Sequence, residues 1–356
     1  MKDCVLITGG AGFIGTSISH LLADTGSQQV VVFDNMHPQI HQSKARPQRL
    51  HPRAELIIGD VTRQSDWDAL LEEWVPVKIF HLAAETGTGQ SLTESTRHGM
   101  VNVVGTTQML DALSKRDIRP EKLVLTSSRA VYGEGRWVGK DGRDAYPGQR
   151  SVRMLSAGEW DFADMIPMPS LAENTFPAPT SIYGATKLDQ EHLLSAWSNS
   201  FDVPLSILRL QNVYGEGQSL TNSYTGIVSL FCRMAYNGEV IPVYEDGNIV
   251  RDFVHIDDVA SAIVKASNTP AADGAVLDVG TGVGSSILDL ANTISGIYSS
   301  PAPQINGKFR NGDVRNASTN IERTSSVLNW SPTVTLDMGI RRLSKWIEEQ
   351  GTDVSL

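Results

Sequence analysis

The feature that most constrains the fold of this 356-residue chain is a glycine-rich turn near its N-terminus. Gly9, Gly12 and Gly15 directly follow the apolar run of residues 5–7 and open a helix that is predicted over residues 13–22. Glycines at this spacing let the backbone turn tightly, so that free N–H groups at the helix N-terminus approach a pyrophosphate. The pattern predicts a dinucleotide-binding turn, although glycines also collect in turns for steric reasons alone.

An acidic residue, Asp34, ends the next apolar run. Its distance from the glycines is suitable for accepting hydrogen bonds from an adenosine ribose. Because a carboxylate at this place disfavours a 2′-phosphate, the sequence predicts NAD in preference to NADP. Asp60 and Val61, after a third apolar run, are expected at the adenine pocket. For both aspartates the alternative is a residue that ends a strand and starts a turn.

Short apolar runs alternate with helical patterns along the chain, as in a parallel sheet joined by crossover helices. Several runs are almost unbroken and rich in leucine or β-branched residues, which is typical of strands buried on both faces. The sequence therefore predicts an α/β fold: a Rossmann-type doubly wound parallel sheet with a smaller C-terminal substrate-binding lobe. The predicted strands are residues 4–8, 30–34, 55–59, 78–83, 122–126, 205–210 and 276–279.

Two stretches, residues 36–52 and 136–179, are predicted to be irregular. The second is rich in Gly, Pro and polar residues, and a loop of this length is a lid or substrate-facing excursion, or else disordered. We expect residues 1–212 to form the nucleotide-binding domain, with residues 136–179 as an insertion. Residues 213–356 are expected to form mainly the second lobe, with residues from about 251 to 280 returning to the sheet.

The composition argues against several classes of function. The net charge is −10 and no Lys/Arg-rich run occurs, so a nucleic-acid or anionic membrane surface is not expected. Cys4 and Cys232 cannot form a disulfide framework or a zinc site between them and are interpreted as buried apolar residues in a reducing compartment. No apolar run is long enough to span a membrane, and no signal peptide precedes the first strand. We expect a soluble, cytoplasmic protein without a metal.

Tyr183 and Lys187 are the most informative polar pair. Four residues apart on a helix, they lie on one face, where an ammonium can stabilise a phenolate and lower a tyrosine pKa that is normally about 10. Such a tyrosine can take a proton from a sugar or steroid hydroxyl near neutral pH. Most isolated pairs with this spacing are solvated helix neighbours. Behind a nucleotide-binding turn, however, the pair indicates hydride-transfer chemistry.

These motifs together resemble the extended short-chain dehydrogenase/reductase family of NAD-dependent epimerases and dehydratases, whose members modify nucleotide sugars. In chain order they are TGGAGFIG, GDV, HLAA, SSxxVYG, YGATK and RDFVHIDDV. The resemblance implies that Ser128 shares the proton that Tyr183 removes and that Lys187 holds the cofactor ribose. The cofactor-binding residues expected on these grounds are Gly9, Gly12, Phe13, Ile14, Gly15, Asp34, Asn35, Asp60, Val61, Leu82, Ala83, Ala84, Tyr183 and Lys187.

The resemblance also implies a substrate, a nucleoside-diphosphate sugar. Arg251 and Arg310 match arginines that grip the diphosphate, a role for which the rigid fork of guanidinium donors is suited. For each arginine the alternative is a surface pair with a neighbouring aspartate. The expected substrate-binding residues are Glu85, Ser128, Arg129, Asn212, Arg251 and Arg310.

One departure from the family pattern argues against one of the reactions that the family catalyses. Members that dehydrate a 4-keto sugar have Asp-Glu directly after the catalytic Ser or Thr, whereas this chain has Arg129 and Ala130. An epimerase needs only one base and one cofactor, so we expect an NAD-dependent nucleotide-sugar epimerase that inverts C4 through a 4-keto sugar. The alternatives are a nucleotide-sugar 4-reductase or dehydrogenase, and a non-catalytic NAD-binding relative. The intact Ser128, Tyr183 and Lys187 argue against the last.

In this family two helices pair with their copies across a two-fold axis. The corresponding helices, residues 97–115 and the helix that carries Tyr183, have more apolar positions than one face against a sheet requires. A helix that is apolar over more than one stripe needs a second partner. We therefore expect a homodimer. The alternative is a monomer in which residues 136–179 cover these helices.

Overall fold

The computed structural model describes residues 1–26, 28–41, 43–220 and 226–350. The strands in this part of the chain are β1 (Lys2–Thr8), β2 (Gln29–Asp34), β3 (Glu55–Ile58), β4 (Trp74–His81), β5 (Lys122–Ser128), β6 (Trp137–Gly139), β7 (Asp144–Ala145), β8 (Met165–Pro167), β9 (Leu205–Leu210), β10 (Asn212–Tyr214), β11 (Pro242–Val243), β12 (Val250–His255), β13 (Val276–Val279), β14 (Gly284–Ser286), β15 (Gln304–Ile305) and β16 (Asn316–Ala317). The helices are α1 (Phe13–Thr25), α2 (Gln64–Glu73), α3 (Ser95–His98), α4 (Gly105–Lys115), α5 (Val152–Ser156), α6 (Ile182–Phe201), α7 (Ile227–Tyr236), α8 (Ile256–Asn268), α9 (Ile287–Tyr298), α10 (Glu322–Leu328) and α11 (Leu336–Gln350). Short 3₁₀ turns occur at Gln90–Leu92, Arg129–Tyr132 and Pro270–Ala272, and a π-helix, Gly99–Val104, joins α3 to α4.

The centre of the fold is a seven-stranded parallel sheet in the order β13-β9-β5-β4-β1-β2-β3. The strand order reverses between β1 and β4, because the chain builds the sheet outward in one direction from β1 and then in the other from β4. In open α/β sheets, ligands bind in the crevice at such a reversal, at the carboxyl ends of the strands. The seven predicted strands coincide with these seven, and the predicted doubly wound fold is confirmed.

Helices cover both faces of this sheet. α1 and α8 pack together on one face, which receives Ile7 and Val32, while α2, α4 and α6 cover the other face, which receives Leu6 and Val31. Successive residues of β1 and β2 point to opposite faces because side chains alternate along a strand. Burial of both faces explains why the strands appear in the sequence as unbroken apolar runs.

The two cysteines are buried and unpaired, as predicted. Burial raises the pKa of Cys4 and of Cys232 to about 12, so both thiols stay protonated at neutral pH. In the described residues, no helix has both the length and the apolar character that crossing a membrane requires.

A smaller lobe begins after the large sheet. Its four-stranded sheet consists of β10, β12, β14 and β16, with β12 paired to the other three. α7, α9 and α11 enclose a third apolar core around Tyr214 and Phe231. Of residues 251–280, which were expected to return to the large sheet, α8 and β13 lie with that sheet, whereas β12 belongs to the small one.

The prediction that residues 136–179 are irregular is wrong in part. β6 pairs antiparallel with both β7 and β8, and α5 lies between β7 and β8 in the chain. Trp137, the first residue of β6, is fully buried and packs edge-on against Phe162. These strands have only two or three residues, too few to show an alternating pattern. Residues 36–41 and 43–52 contain no helix or strand, as predicted.

Buried charges fasten this insertion to the second lobe. Arg150, which is 1% exposed, donates hydrogen bonds to both oxygens of Glu245, at 2.8 and 2.9 Å, and to Glu134 at 3.2 Å. Arg315 donates to Glu245 and to Asp161 of the insertion. A buried charge without its partner is strongly unfavourable, so this network holds the insertion in place.

The two helices that were expected at a dimer interface are residues 97–115 and α6. Their apolar residues divide into an inner and an outer set. The inner set packs in the core against the sheet and consists of Met109, Leu110, Leu113, Leu194 and Trp197. The outer set is half-buried or exposed and consists of Met100, Val103, Val104, Leu188 and Leu193. A charge at Met109 would therefore disrupt the core, and only the outer set is available for a partner.

We predict that the outer set forms the interface of a homodimer. Val104→Glu is expected to convert the dimer to a monomer, because a carboxylate in a two-fold contact would lie against its own copy. Val152→Glu places the same charge on the insertion, at a side chain that is 55% exposed, and should leave the dimer intact. Light scattering at micromolar concentration measures the mass. A monomeric wild type would reject the interface.

Candidate active site

A cavity of about 950 Å³ lies at the carboxyl ends of the central strands. Most predicted site residues line it: Gly9, Gly12, Phe13, Ile14, Gly15, Asp34, Asn35, Val61, Leu82, Ala83, Ala84, Glu85, Ser128, Arg129, Tyr183, Lys187 and Asn212. The lining does not include Asp60, Arg251 or Arg310. The structure thus gathers the predicted cofactor and catalytic residues around one space, while two predicted substrate arginines lie outside it.

The glycine turn leaves no room for side chains. Gly9 has a φ of +66°, and a Cβ there would lie 2.8 Å from the backbone of Ala83. A Cβ on Gly15 would lie 2.4 Å from the Cα of Gly10, so the start of α1 packs backbone against backbone. Gly12, the N-cap of α1, offers no side-chain cap, which leaves N–H groups of the first turn for a ligand. This cradle fits the pyrophosphate of a dinucleotide.

Asp34 ends β2 beside the glycine turn. Its two oxygens accept hydrogen bonds from the backbone N–H groups of Ala11, at 3.0 Å, and Met36, at 2.9 Å. The carboxylate therefore joins the turn to the loop after β2 while it lines the cavity. His37 and His41 of this loop line the cavity too, and burial lowers the pKa of His41, whose Nε2 is 3.8 Å from Asp34. Sequence analysis missed both histidines because no periodic pattern marks this loop.

Asp60 does not line the cavity but contacts a residue that does. Its carboxylate accepts hydrogen bonds from the N–H and hydroxyl of Thr62, at 2.9 and 2.7 Å, and from the side-chain amide of Asn35 at 3.3 Å. It therefore holds the turn after β3, the alternative role that the sequence left open. Its neighbour Val61 and its partner Asn35 are the residues that line the cavity.

Side-chain caps fix the two segments that carry Ser128 and Tyr183, which are predicted catalytic residues. Ser128 caps the turn Arg129–Tyr132, with its Oγ accepting a hydrogen bond from Ala130 N at 3.2 Å. Ser181 caps α6 in the same way through Gly184 N, at 3.0 Å. A Cβ on Gly184 would lie 2.5 Å from the carbonyl oxygen of Ala130, so glycine permits the close approach of α6 to the turn. Tyr183 in the first turn of α6 is thereby held beside Ser128.

The electrostatic environment of Tyr183 differs from the expectation. Burial raises the pKa of this phenol, and a hydrogen bond with Ser128 and the charge of Arg129 lower it. The ammonium of Lys187 was expected to exert that effect. Burial lowers the pKa of Lys187 to about 7, however, so this side chain loses its proton before the phenol does. Arg129, next to Ser128 in the chain, is a second cation near this phenol, and its charge favours the ionised form of Tyr183.

A network of buried polar side chains contacts Lys187 and orients its side chain. The ammonium donates a hydrogen bond to Gln190 Oε1, while Gln190 Nε2 donates to Thr106 Oγ1 at 2.9 Å and lies 3.3 Å from His81 Nε2. The other ring nitrogen of His81 is 2.8 Å from Thr8 Oγ1, and burial lowers the pKa of this histidine to about 3. His81 is therefore neutral. Sequence analysis missed Gln190 and His81 because single polar residues within apolar patterns resemble surface positions.

The π-helix Gly99–Val104 brings a further missed residue into place. Asn102 is fully buried, and its side-chain amide donates to Thr186 Oγ1 at 2.9 Å and to the carbonyl oxygen of Glu85 at 3.1 Å. Its Oδ1 accepts from Glu85 N at 2.7 Å. Asn102 thus ties α6 to the backbone after β4 at the cavity wall, and π-helices are frequent at such functional positions.

The arginines expected to bind a diphosphate have protein partners here. Arg251 is 5% exposed and donates a hydrogen bond to Asp313 Oδ1, and Arg310 is exposed, with its guanidinium 5.3 Å from the ring centre of Tyr244. For Arg251 this is the aspartate pairing that the sequence left as the alternative. Within the described residues, Gln211 Oε1 and Asn212 Oδ1 are buried without a hydrogen-bond partner, and both residues line the cavity.

The site combines a doubly wound sheet with a glycine turn that fits a pyrophosphate and an acidic residue at the end of β2. Together with Ser128, Tyr183 and Lys187 in the wall of one cavity, these features define a dinucleotide-dependent enzyme. The NAD dependent epimerase/dehydratase family matches residues 5–280. The chain belongs to this family. Membership confirms the predicted fold class and the predicted cofactor, NAD.

Known proteins are similar over nearly the whole chain. The dTDP-L-rhamnose 4-epimerase of Burkholderia thailandensis is 56% identical over 346 residues, which cover 97% of this chain and 95% of that protein. The structure of UDP-glucose 4-epimerase from Thermotoga maritima with UDP-glucose has a TM-score of 0.80 at 26% identity and covers 98% of this chain and 99% of that one. The UDP-glucose 4-epimerase of Thermus thermophilus, in complex with NAD, has a TM-score of 0.77 at 25% identity, with 98% and 99% coverage. These similarities confirm the prediction of an NAD-dependent nucleotide-sugar epimerase.

We predict that Asp34 sets the preference for NAD over NADP. The double variant Asp34→Ala, Asn35→Arg should bind NADP more tightly relative to NAD by about tenfold or more, because a repelling carboxylate is exchanged for a guanidinium beside the 2′-phosphate. Calorimetric titration of both cofactors measures the ratio. Asp60→Asn, which alters a carboxylate outside the cavity, should keep the preference of the wild type. Wild-type protein that prefers NADP would contradict the assignment.

Burial of Lys187 predicts a definite pH dependence of stability. Its pKa falls from 10.5 to about 7 on folding, so between these values the unfolded chain binds more protons and the free energy of unfolding rises with pH. Lys187→Met should remove that contribution. Urea unfolding of NAD-free protein gives the free energy of unfolding below pH 7 and again between pH 7 and 10.5. The free energy of unfolding of the wild type minus that of the variant should increase with pH. An unchanged difference would mean that Lys187 is not buried as a titrating group.

Proposed function

We propose that this chain is a dTDP-L-rhamnose 4-epimerase, which inverts the configuration at C4 of the sugar through a 4-keto sugar. The observation that carries the proposal is the single cavity that joins Ser128, Tyr183 and Lys187 to the pyrophosphate cradle. The 56% identity to a dTDP-L-rhamnose 4-epimerase over 97% of the chain supports the choice of sugar and nucleotide. The substrate partner is accordingly a nucleoside-diphosphate sugar.

Tyr183 is the proposed general base. Its phenolate oxygen takes the proton of the C4 hydroxyl, and Ser128 hydrogen-bonds to the same sugar oxygen and steadies it as a carbonyl forms. The glycine turn at the start of α1 would hold NAD, which would supply the hydride acceptor and donor for C4. Tyr183 then gives the proton back to the oxygen of the inverted sugar. Lys187, beside Tyr183 in the cavity wall, is proposed to bind the cofactor ribose.

Inversion requires that the keto sugar present its other face before the hydride returns. The cavity of about 950 Å³ would hold the cofactor and the sugar, and the rotation is proposed to take place within it. Gln211 Oε1 and Asn212 Oδ1, both buried and unpartnered within the described residues, are acceptors for ligand hydroxyl groups. These two oxygen atoms are proposed to bind the substrate while the keto sugar rotates. Arg251 and Arg310 are proposed to bind the diphosphate, for which each must exchange its present partner, Asp313 or the ring of Tyr244, for phosphate oxygens.

Two observations favour epimerisation over the alternatives. Arg129 and Ala130 stand directly after Ser128, and neither a guanidinium nor a methyl group can act as the acid and base that dehydration requires. Asp34 at the end of β2 favours NAD over the NADPH that keto-sugar reductases commonly consume. An epimerase recycles its NAD within each turnover, and it does not need the acid and base pair that Arg129 and Ala130 replace after Ser128.

We predict that purified protein converts dTDP-L-rhamnose to its C4 epimer without added cofactor. Proton NMR resolves the two sugars, and UDP-, GDP- and CDP-linked sugars serve as the comparison panel. Denatured protein should release NAD into the supernatant. Stoichiometric consumption of NADH or NADPH, with no epimer formed, would instead support a reductase.

Within the same assay, Tyr183→Phe should lower kcat by about 10²- to 10⁴-fold, because only the proton acceptor is lost. The variant should still contain NAD, since the ring remains. Tyr146→Phe removes a phenol that is 40% exposed on the insertion and should retain the wild-type rate. Near-native turnover by Tyr183→Phe would show that another group is the base.

A further inference from the structure

We propose that Gln190 is a positioning residue, whose side-chain carbonyl favours the charged form of Lys187 and holds this side chain in place for Tyr183. Gln190 is fully buried and does not line the cavity, so it acts through Lys187. The inference rests on the proposed function, because it takes Lys187 as the partner of Tyr183 and of the cofactor ribose. It goes further in assigning the group that opposes the effect of burial on this ammonium.

The hydrogen bonds around Thr106 have a fixed direction. The Thr106 hydroxyl donates its single proton to the backbone carbonyl oxygen of Asn102, at 2.6 Å. Its Oγ1 is therefore left as an acceptor. The two nitrogens that face this oxygen, Gln190 Nε2 at 2.9 Å and His81 Nε2 at 3.0 Å, consequently both donate to it.

His81 meets this requirement in one of its two neutral tautomers. Because Nε2 carries the proton of the neutral ring, Nδ1 is an acceptor, and the Thr8 hydroxyl donates to it at 2.8 Å. Thr8 Oγ1 in turn accepts the N–H of Ala83 at 3.3 Å. Burial lowers the pKa of His81 to about 3, so the ring stays neutral at neutral pH and the direction of these hydrogen bonds is kept.

This direction fixes which end of the Gln190 amide faces Lys187. With Nε2 directed to Thr106, the carbonyl oxygen Oε1 is the atom that receives the hydrogen bond of Lys187. The reversed amide would place Oε1 against an oxygen whose proton is already used, and its NH₂ group against an ammonium that can only donate. Buried polar groups without partners are unfavourable. The network therefore presents an acceptor to Lys187.

An acceptor in this place favours the ammonium over the neutral amine. A hydrogen bond to the charged form raises the pKa of an amine, whereas burial lowers the pKa of Lys187 to about 7. Gln190 accordingly opposes the effect of burial. The charge that it favours lies on the same face of α6 as Tyr183, where it promotes ionisation of the phenol.

Other charged groups near Lys187 enter the interpretation of any pH effect. The charged and titratable groups that face Lys187 or its partner Tyr183 are Glu191 of α6, Arg209 of β9, His81 of β4, Arg129 after β5 and His98 of α3. Glu191 raises the pKa of Lys187 and so acts in the same direction as Gln190. All of these groups are kept in the variants below, so their effects cancel in the comparisons.

The experiment follows the charge of Lys187 in NAD-free protein. The pKa of Lys187 falls from 10.5 to about 7 on folding, so the free energy of unfolding of the wild type minus that of Lys187→Met begins to rise at about pH 7. The same difference is then taken between Gln190→Met and the double variant Gln190→Met, Lys187→Met. There the rise should begin about one pH unit lower, because the buried ammonium has lost its acceptor.

Variants of Thr106 test whether the direction of the amide matters, and they decide the question if Gln190→Met does not fold. Thr106→Val keeps the shape of the side chain but removes the oxygen that orients Gln190, so the rise should again begin at lower pH. Thr106→Ser keeps that oxygen and should restore the wild-type value. Gln304→Met, the same substitution at an exposed residue of β15, should have no effect.

Kinetics of the NAD-bound enzyme show whether this positioning serves the reaction. Gln190→Met should lower kcat by about tenfold or more, while KM for the sugar nucleotide stays within about twofold, because Gln190 lies outside the cavity. In the Lys187→Met background the same substitution should cause no further loss of kcat or of NAD affinity, since Gln190 acts through Lys187. Calorimetric titration measures the NAD affinity.

An unchanged onset of the rise in the Gln190→Met background would overturn the proposal. So would an equal loss of kcat with and without Lys187, because Gln190 would then act on the stability of the fold alone. The unfolding measurement needs neither cofactor nor substrate. If no nucleotide sugar is epimerised, the proposed function fails while this measurement still decides whether Gln190 favours the ammonium.

Discussion

The site depends on backbone segments that pack against each other with no side chain between them. A Cβ at Gly9 would meet the backbone of Ala83, and a Cβ at Gly184 would meet the carbonyl oxygen of Ala130. The first contact joins the pyrophosphate turn to the end of β4, and the second brings α6 against the turn after Ser128. The glycine turn, the Ser128 hydroxyl and the Tyr183 phenol therefore lie at one edge of the sheet. A methyl group at either glycine would force these segments apart, which would separate groups that are proposed to bind the cofactor and to act on the sugar oxygen.

Behind this edge, buried polar contacts set the position of α6 relative to the sheet. Glu191 accepts two hydrogen bonds from Arg209 of β9, at 3.0 and 2.7 Å, and one from Ser127 of β5. Losing one partner of such a buried pair typically destabilises a protein by about 3–5 kcal/mol, because the remaining charge is left uncompensated. The pair lies one turn beyond Lys187. The ion pair between Glu191 and Arg209 thus fixes α6 to the sheet. Glu191 is the neighbour in the chain of Gln190, which accepts the hydrogen bond of Lys187.

The sequence predicted the parts of the molecule that repeat a pattern. The seven central strands follow from buried apolar runs, and the glycine turn follows from its spacing before a helix. Residues whose roles depend on partners far away in the chain were not predictable. Gln190 contacts His81, and Asn102 lies in a π-helix that no periodicity marks and contacts Glu85 and Thr186. The charge state of Lys187 also escaped prediction, because it depends on burial by the whole fold. Sequence spacing placed Lys187 near Tyr183 but could not show that burial lowers the pKa of this side chain to about 7.

The insertion has a physical connection to the reacting groups. Glu134 stands two residues after the turn Arg129–Tyr132, is 4% exposed, and accepts hydrogen bonds from Arg150 of the insertion and from the backbone of Arg315. Burial raises the pKa of Glu134 to about 7, a shift that both of these contacts oppose. The insertion therefore supplies a cation that favours the charged form of this carboxylate, and the carboxylate anchors the turn that carries Arg129. Residues 136–179 do not line the large cavity, yet they can in this way influence the geometry at Ser128 and Tyr183, because their buried charges hold the residue that follows the turn Arg129–Tyr132.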